Sequence, residues 1–346
     1  MARWSLPLLL ASSGQAASSQ PAASLNLHTD VVFDQYPPDA EGSELLRRTL
    51  SPLALEVVRR RLASSGGAVS AQSLDLPGER FVVYVPPRAP PGGYGVLVFV
   101  PPWQKAALPA GWASELDQAG VIYISAARSG NDESVAGRRE PLALIGARNI
   151  IQHYPVDPAR VYVGGFSGGA RIALRLALDY PDLFRGALLN AGSDPLGRGG
   201  AIPPSREMFQ QFQQSSRLVY VTGEKDDLHR AADGESAQSM RTHCVYDLDV
   251  RVAQGAAHEL AGAGALGGAL RSLKIHAPAD PARLAACRAT LDRDLAQSFQ
   301  RVEAMLASGK RDAARSAILD IDARFGGLAA PRIVDLAQAC ACKLLP

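Results

Sequence analysis

The sequence predicts an α/β fold: a doubly wound, mostly parallel sheet covered by helices. Short apolar runs alternate with amphipathic segments along most of the chain, which is the pattern of strands connected by helices. Two of the runs, 95–100 and 120–125, are almost continuously apolar, as strands buried on both faces are. With 346 residues and 47% hydrophobic content, the chain is long enough for one large core with smaller segments attached.

We assign residues 1–40 to a tail and linker. They begin with a short basic start and an apolar run over 4–11, followed by small residues, so they resemble a signal peptide with a minimal hydrophobic region. We therefore expect a periplasmic or secreted protein, with a cytoplasmic one as the alternative. No apolar stretch in the sequence approaches the length of a membrane span, so none is expected.

A helical segment is predicted over residues 41–66, where leucine and valine recur at helical spacing. Ser51-Pro52 predicts that the helix restarts there, because serine is a favoured N-cap and proline a favoured first helical residue. Gly66-Gly67 predicts its end.

Residues 67–279 are assigned to the α/β domain. We expect the first two strands of this domain to form an antiparallel pair and the later strands to form the parallel part of the sheet. The predicted strands are 68–76, 80–85, 95–100, 120–125, 161–163, 186–189, 217–221 and 246–253. Helices are predicted over 141–153 and 171–180. The insertion 194–216 is interpreted either as an amphipathic flap over the site or as a surface loop with one packed helix.

Residues 280–346 are predicted to form a C-terminal helical extension. Apolar residues recur at helical spacing over 280–308 and 312–325, and Pro331 is expected to begin a third helix. These segments carry no recognisable catalytic residue. We expect them to cover the domain or to contact a protein partner.

The most informative stretch of the chain is Gly165-Phe166-Ser167-Gly168-Gly169. A β-branched and aromatic run precedes this G-x-S-x-G pattern and a helical pattern follows it, which is the context of a nucleophile elbow. The glycines fit a turn too sharp for side chains near the serine. Ser167 is therefore the predicted nucleophile, and the backbone N–H of Gly168 is the predicted first donor of an oxyanion hole.

A serine nucleophile needs a base and an acid that orients the base. Asp226 lies on the turn after the predicted strand 217–221, where such sheets build their sites, so it is the predicted acid. Asp227 is adjacent and Asp194 follows the preceding strand; both remain alternatives at this stage.

The predicted base is His258, in a Gly-x-x-His sequence after the last core strand. The chain order Ser167, Asp226, His258 is the order expected for a triad on this kind of sheet. The other histidines fit this order less well, and we interpret them as surface or core residues: His28, His153, His229, His243 and His276.

The second oxyanion donor is expected in the turn Pro101-Pro102-Trp103-Gln104 after the strand 95–100. Proline has no N–H, so the donor is either Trp103 or Gln104. Trp103 is also a candidate wall of an acyl pocket.

Over four segments, the chain resembles esterases of the polyhydroxybutyrate depolymerase and feruloyl esterase type, in the α/β-hydrolase family. The matching segments are 80–87, 96–100, 156–169 and 180–184. The resemblance implies hydrolysis of small or polymeric carboxylic esters, with neither a metal nor another cofactor. Such esterases usually carry His-Gly where Pro101-Pro102 stands here.

Two further functions stay open at this stage. One is a serine peptidase of the prolyl-oligopeptidase type, and the other is a non-catalytic binding protein on a hydrolase scaffold.

The 36 basic and 34 acidic residues are spread along the chain, so nucleic acid is not an expected partner. None of the four cysteines has zinc-ligand spacing, and in an exported protein Cys244 and Cys287 could pair.

Overall fold

The computed structural model describes residues 26–342, apart from residues 199, 276 and 278. The predicted signal segment and His276 therefore lie outside the described residues. Within the described part, eight strands form one sheet in the order β1-β2-β4-β3-β5-β6-β7-β8. The strands are Leu27–Val31 (β1), Phe81–Tyr84 (β2), Tyr94–Val100 (β3), Val121–Ala126 (β4), Val156–Phe166 (β5), Gly186–Asn190 (β6), Arg217–Gly223 (β7) and Leu248–Ala253 (β8).

The sheet is mostly parallel, which confirms the predicted fold class. Strand β2 pairs antiparallel with both β1 and β4, and the pairs from β4 through β8 are all parallel. The helices are Gly42–Thr49 (α1), Pro52–Ser65 (α2), Trp112–Ala119 (α3), Glu140–His153 (α4), Gly168–Asp179 (α5), Arg206–Ser215 (α6), Asp227–Thr242 (α7), Ala263–Lys274 (α8), Pro281–Ala307 (α9), Arg311–Phe325 (α10) and Arg332–Cys340 (α11).

Strand β3 shows how the sheet divides the core into two layers. Its side chains alternate between the faces, as the period of two in a strand requires. Val96 and Val98 join the hydrophobic cluster that includes α4 and α5, whereas Leu97 and Phe99 join the cluster with α3 and α8. The strand is buried along its whole length, which explains its continuously apolar sequence.

The N-terminal helical segment forms as predicted at Ser51. The Ser51 hydroxyl accepts a hydrogen bond from the Ala54 N–H, Pro52 is the first residue of α2, and Gly66 ends the helix in the left-handed conformation. Asp322 of α10 binds the same helix start, because its carboxylate accepts from both the Ser51 hydroxyl and the Leu53 N–H.

Two predictions near the first edge of the sheet are wrong. Residues 1–40 were assigned to a tail and linker, yet Leu27–Val31 form β1, which pairs with β2. Residues 68–76 were predicted as a strand, but they form no strand in the structure. The segment instead buries the side chains of Leu74 and Leu76. Strand β1 is polar and largely exposed, so it lacks the alternation that identifies a half-buried strand.

The C-terminal helices pack into the main core. Buried residues of α9, α10 and α11, such as Leu295, Ile318 and Ile333, belong to the same hydrophobic cluster as the side chains beneath β3. A disulfide joins Cys244, after α7, to Cys287 of α9. Among the described residues, none of the helices combines the length and the apolar character needed to cross a bilayer.

The insertion 194–216 contains the packed helix α6. Its Phe209 and Phe212 are buried and stack on each other, with ring centroids 6.3 Å apart. Arg288 of α9 donates to the side chain of Gln213. This arrangement fits the second interpretation of the insertion, a loop with one packed helix, rather than a flap.

Candidate active site

Ser167 lies at the tip of a sharp turn between β5 and α5. Its φ of 53° and ψ of −121° are strained values for a residue with a side chain. Backbone strain of this kind costs about 1–3 kcal/mol and persists only where the surrounding structure imposes it. The turn exposes the hydroxyl at the carboxyl end of the sheet, as a nucleophile elbow does.

The glycines around Ser167 are required by close backbone contacts. A Cβ on Gly169 would lie 1.9 Å from the carbonyl oxygen of Val100, and one on Gly165 would lie 2.3 Å from the carbonyl carbon of Gly169. Both distances are far below van der Waals contact. The sequence around Ser167 therefore lets α5 start directly against the ends of β3 and β5.

The structure brings together the serine, histidine and aspartate that the sequence singles out. The Nε2 atom of His258 is 3.1 Å from the Ser167 hydroxyl oxygen, and its Nδ1 atom is 2.7 Å from an oxygen of Asp226. A carboxylate only accepts hydrogen bonds, so Nδ1 carries the proton and Nε2 presents its lone pair to Ser167. We call this arrangement, on the loops after β5, β7 and β8, the triad side.

Of the three candidate acids, Asp226 contacts His258, whereas Asp227 and Asp194 have other partners. The side chain of Asp227 is 88% exposed and pairs with Arg230, while Asp194 pairs with Arg171. Asp226 also caps α7 by accepting the His229 N–H. Burial alone would raise the pKa of Asp226, but hydrogen bonds from His229 and His258 outweigh it and hold that pKa below its ordinary value.

The loop that carries His258 is anchored on both sides. The Ala261 N–H donates to the Asn190 side chain at 2.7 Å, and the Ala261 carbonyl accepts from the Trp112 indole at 2.9 Å. Earlier in the loop, the Ala256 carbonyl accepts from the Lys225 N–H at 2.8 Å. These bonds tie the loop to the ends of β6 and β7, so the imidazole returns towards Ser167.

His229 belongs to this cluster, although the sequence analysis interpreted it as a surface or core residue. Its Nδ1 atom is 2.8 Å from the second oxygen of Asp226, and its ring stacks on that of His258 with centroids 4.0 Å apart. Phe166 contacts the His258 ring as well, at 4.9 Å. Asp and His three residues apart at a helix start face each other, and that spacing is a signal that could have identified His229.

The loops after β3 and β4 lie on the other side of Ser167, and we call residues 101–104 and 129–131 the oxyanion side. The Asn131 N–H donates to the Pro102 carbonyl at 3.0 Å. A Cβ on Gly168 would lie 2.2 Å from the Asn131 side-chain oxygen and 2.9 Å from its nitrogen. The Asn131 amide therefore lies directly against the start of α5, a contact that no motif in the sequence indicates.

The two predicted second donors lie on this side as well. The Trp103–Gln104 peptide packs on Gly130, where a Cβ would lie 2.9 Å from the Trp103 carbonyl carbon. The Trp103 ring is 38% exposed and contacts Phe166, with centroids 6.1 Å apart. Trp103, Phe166 and His258 thus form a continuous aromatic wall beside the serine.

A buried arginine joins the two loops of the oxyanion side. Arg139 ends a single π-helical turn, Val135–Arg139, and is only 4% exposed. It donates to the Ser129 carbonyl at 3.0 Å and to the Pro101 carbonyl at 3.1 Å. Burial lowers the pKa of Arg139 from its ordinary value, against the attraction of Glu140 and Glu133.

In the described part of the chain, Asp226, His229 and His258 also have donor atoms close enough to hold a metal, all within 4.8 Å of one another. The two imidazole planes are only 15° from parallel. Their in-plane lone pairs therefore run side by side and do not converge on one ion, as a zinc site requires. The present arrangement fits hydrogen bonding to the carboxylate better than metal coordination.

No protein-family model matches the chain, and no curated protein sequence matches it significantly. Similar solved structures include an S-formylglutathione hydrolase (FrmB) from Staphylococcus aureus. It aligns at 11% identity and a TM-score of 0.43, and the alignment covers 56% of this chain and 92% of that one. An esterase from the archaeon Pyrobaculum calidifontis aligns at 15% identity and a TM-score of 0.43, covering 57% and 79%.

A third similar structure is described as a dipeptidyl aminopeptidase IV from Bacteroides ovatus. It aligns at 16% identity and a TM-score of 0.43, over 57% of this chain. The chain spans about a third of the length of that protein, 33%. At these identities the similarity concerns the fold alone.

The fold is identified by the architecture of the chain itself. A mostly parallel eight-stranded sheet carries a strained serine turn between β5 and α5, and Asp226 and His258 follow later strands. The protein has the α/β-hydrolase fold.

Proposed function

We propose that the protein is a serine hydrolase that cleaves carboxylic esters through an acyl-enzyme, with Ser167, His258 and Asp226 as its catalytic triad. The observation that carries the proposal is the unbroken hydrogen-bond chain from the Ser167 hydroxyl through His258 to Asp226, at 3.1 and 2.7 Å. A merely structural serine has no need of a strained turn, a histidine in the correct tautomer and a buried carboxylate behind it.

The reaction follows from these positions. His258 Nε2 takes the hydroxyl proton as Ser167 Oγ attacks the ester carbonyl carbon, and Asp226 steadies the imidazolium that forms. The tetrahedral intermediate then expels the alcohol, which takes the proton from His258. Water, activated by the same imidazole, cleaves the acyl-enzyme, releases the acid and restores Ser167.

The intermediate carries a negative oxygen that needs donors on the oxyanion side. The N–H of Gly168, at the start of α5, has no acceptor within its helix and is the first donor. Trp103 and Gln104 remain candidates for the second backbone donor. We add the side-chain amide of Asn131, because it lies against Gly168 and its backbone is tied to the same loop.

The aromatic wall favours esters with an apolar acyl group. Trp103 and Phe166 contact each other and Phe166 contacts the ring of His258, so an acyl chain on Ser167 would lie along apolar surface. His258 and Trp103 are both exposed, so the serine opens to solvent. An open site of this kind accepts small esters and leaves room for a polymer chain.

The experiment replaces Ser167 by Ala and measures hydrolysis of p-nitrophenyl esters of increasing acyl length. We expect kcat to fall by at least about 10⁴-fold, because loss of the nucleophile leaves only the residual catalysis of the site. A fluorophosphonate probe should label the parent protein and not the variant. Ser64→Ala is the matched control, since that exposed serine binds only a carbonyl of its own helix.

Each alternative function has its own outcome in this experiment. Activity retained in Ser167→Ala would rule out the proposed triad. Faster cleavage of aminoacyl amides than of esters, lost in the same variant, would show a serine peptidase instead. A folded parent protein that neither hydrolyses the substrates nor reacts with the probe would be a binding protein.

A further inference from the structure

The carboxylate of Asp226 serves two imidazoles. His258 Nδ1 lies 2.7 Å from Oδ2, and His229 Nδ1 lies 2.8 Å from Oδ1. The backbone N–H of His229 also points to Oδ1, at 3.4 Å. Each oxygen therefore has its own histidine, and the one on Oδ1 is no part of the triad described above.

The shared carboxylate fixes the protonation of both rings. Asp226 is almost completely buried, and the pKa of its carboxyl is held below its ordinary value, so it is ionised and only accepts. Both Nδ1 atoms must then carry hydrogen. A second bond on Oδ1 restrains rotation of the carboxylate, which keeps Oδ2 in place for His258.

His229 restrains the His258 ring as well. The two rings stack with centroids 4.0 Å apart and planes 15° from parallel. Phe166 contacts the same imidazole in a tilted arrangement, with centroids 4.9 Å apart and planes at 32°. The His258 ring therefore has aromatic contacts with both His229 and Phe166. Rotation of the base away from Ser167 would have to displace one of these rings.

The start of α7 places the His229 side chain beside Asp226. It lies in the first turn of α7, three residues after the N-cap Asp226, where the two side chains face each other. The side chain of His229 is 17% exposed. It is a mostly buried polar side chain, and its nearest bonding partner is the carboxylate of Asp226.

We propose that His229 is a positioning residue of the triad, which orients the carboxylate of Asp226 through Nδ1 and the ring of His258 by stacking. The inference rests on the proposed function, since it assigns His229 a task within that triad. Its effect falls on the chemical step, and substrate binding is left nearly unchanged.

Three variants separate the hydrogen bond from the stacked ring. His229→Phe keeps a ring and loses the donor, His229→Asn keeps a donor near the place of Nδ1 and loses the ring, and His229→Ala loses both. We expect kcat to fall about tenfold in His229→Phe, less in His229→Asn and most in His229→Ala, with KM changed less than about twofold. Arg230→Gln, on the exposed neighbour, is the control and should keep the parent kcat.

A double-mutant cycle with Asp226→Asn tests whether His229 acts through the carboxylate. If it does, adding His229→Phe to Asp226→Asn lowers kcat by less than about twofold, because His258 has already lost the carboxylate oxygen that His229 would keep in place. A general loss of stability would lower kcat by the same factor in both backgrounds. Thermal unfolding of each variant identifies any that do not fold, and the Phe and Asn variants suffice if His229→Ala is one of them.

Parent kcat in all three His229 variants, or a loss confined to KM, would overturn the inference. The Ser167→Ala variant, measured on the same esters, keeps this result distinct from a failure of the proposed function. An inactive Ser167→Ala with fully active His229 variants removes only the role of His229. An active Ser167→Ala removes the triad itself.

Discussion

The two sides of the candidate active site are built by different means. On the triad side, ionisable side chains contact one another directly, with Ser167, His258 and Asp226 at hydrogen-bond distance. On the oxyanion side, the loops are held through backbone carbonyls, two of which accept from the buried Arg139. The triad side is thus held together by bonds between side chains, whereas the oxyanion side is held together by bonds to the backbone of its loops.

This difference predicts how each side responds to substitution. In the proposed mechanism, loss of a triad side chain removes a group that takes part in proton transfer, so we expect a large effect on kcat. Loss of a group that holds a loop displaces donors by a fraction of an ångström, and the expected effect is smaller. The predictions below test this ranking.

The largest effect is expected for Asp226→Asn. The amide of asparagine can donate to His258 Nδ1, which would move the ring proton to Nε2 and leave no lone pair for Ser167. We expect kcat for ester hydrolysis to fall by about 10⁴-fold while thermal stability changes little, because asparagine is also a good N-cap for α7.

The matched control is Asp227→Asn, one residue away. Asp227 is almost fully exposed and pairs only with Arg230, so its variant should retain kcat within about twofold. If Asp227→Asn proved the more damaging of the two, the assignment of the acid would be wrong. Equal and small losses in both would weaken the triad side as a whole.

The same division explains what the sequence can reveal. Candidate acids, bases and nucleophiles are limited to a few residue types and lie at strand ends, so the meeting of Ser167, Asp226 and His258 was predictable from type, order and context. The parallel strands were predictable because burial on both faces requires long apolar runs.

Other features depend on contacts that the chain makes only when folded. The polar edge strand β1 is defined by its pairing with β2, and its own residue pattern does not indicate a strand. Asn131 reaches Gly168 because the loop after β4 packs on the loop after β3. The contact of His229 with Asp226 depends on the start of α7 at Asp227, and this helix was not predicted from the sequence.

An intermediate effect is expected for Asn131→Ala. If the Asn131 amide donates to the oxyanion, its loss should lower kcat by about 10²-fold with little change in KM, as for other single oxyanion donors. Asp132→Ala, on the exposed neighbouring residue, is the control. A parent-like kcat in Asn131→Ala would return the second donor to the backbone of Trp103 or Gln104.

The smallest effect on kcat is expected for Arg139→Gln, which tests whether the oxyanion side depends on loop placement. Glutamine has one donor group and a shorter reach, so it cannot bind the carbonyls of both Pro101 and Ser129. We expect kcat to fall about tenfold, because donors on the displaced loop would no longer point at the oxyanion. The free energy of unfolding should fall by about 2 kcal/mol, since at least one buried carbonyl loses its partner.

Arg138→Gln provides the control for Arg139→Gln, because Arg138 lies in the same π-helical turn and pairs with Glu79. It binds the loop after β4 at the Arg128 carbonyl, whereas Arg139 joins that loop to the loop after β3. Its variant should be destabilised without a matching loss in kcat measured well below the unfolding temperature. If both variants lost stability and neither lost kcat, the loop positions would not depend on Arg139. If Arg139→Gln lost as much kcat as Asp226→Asn, loop placement would matter as much as proton transfer, and the two sides of the site would no longer differ in the way proposed.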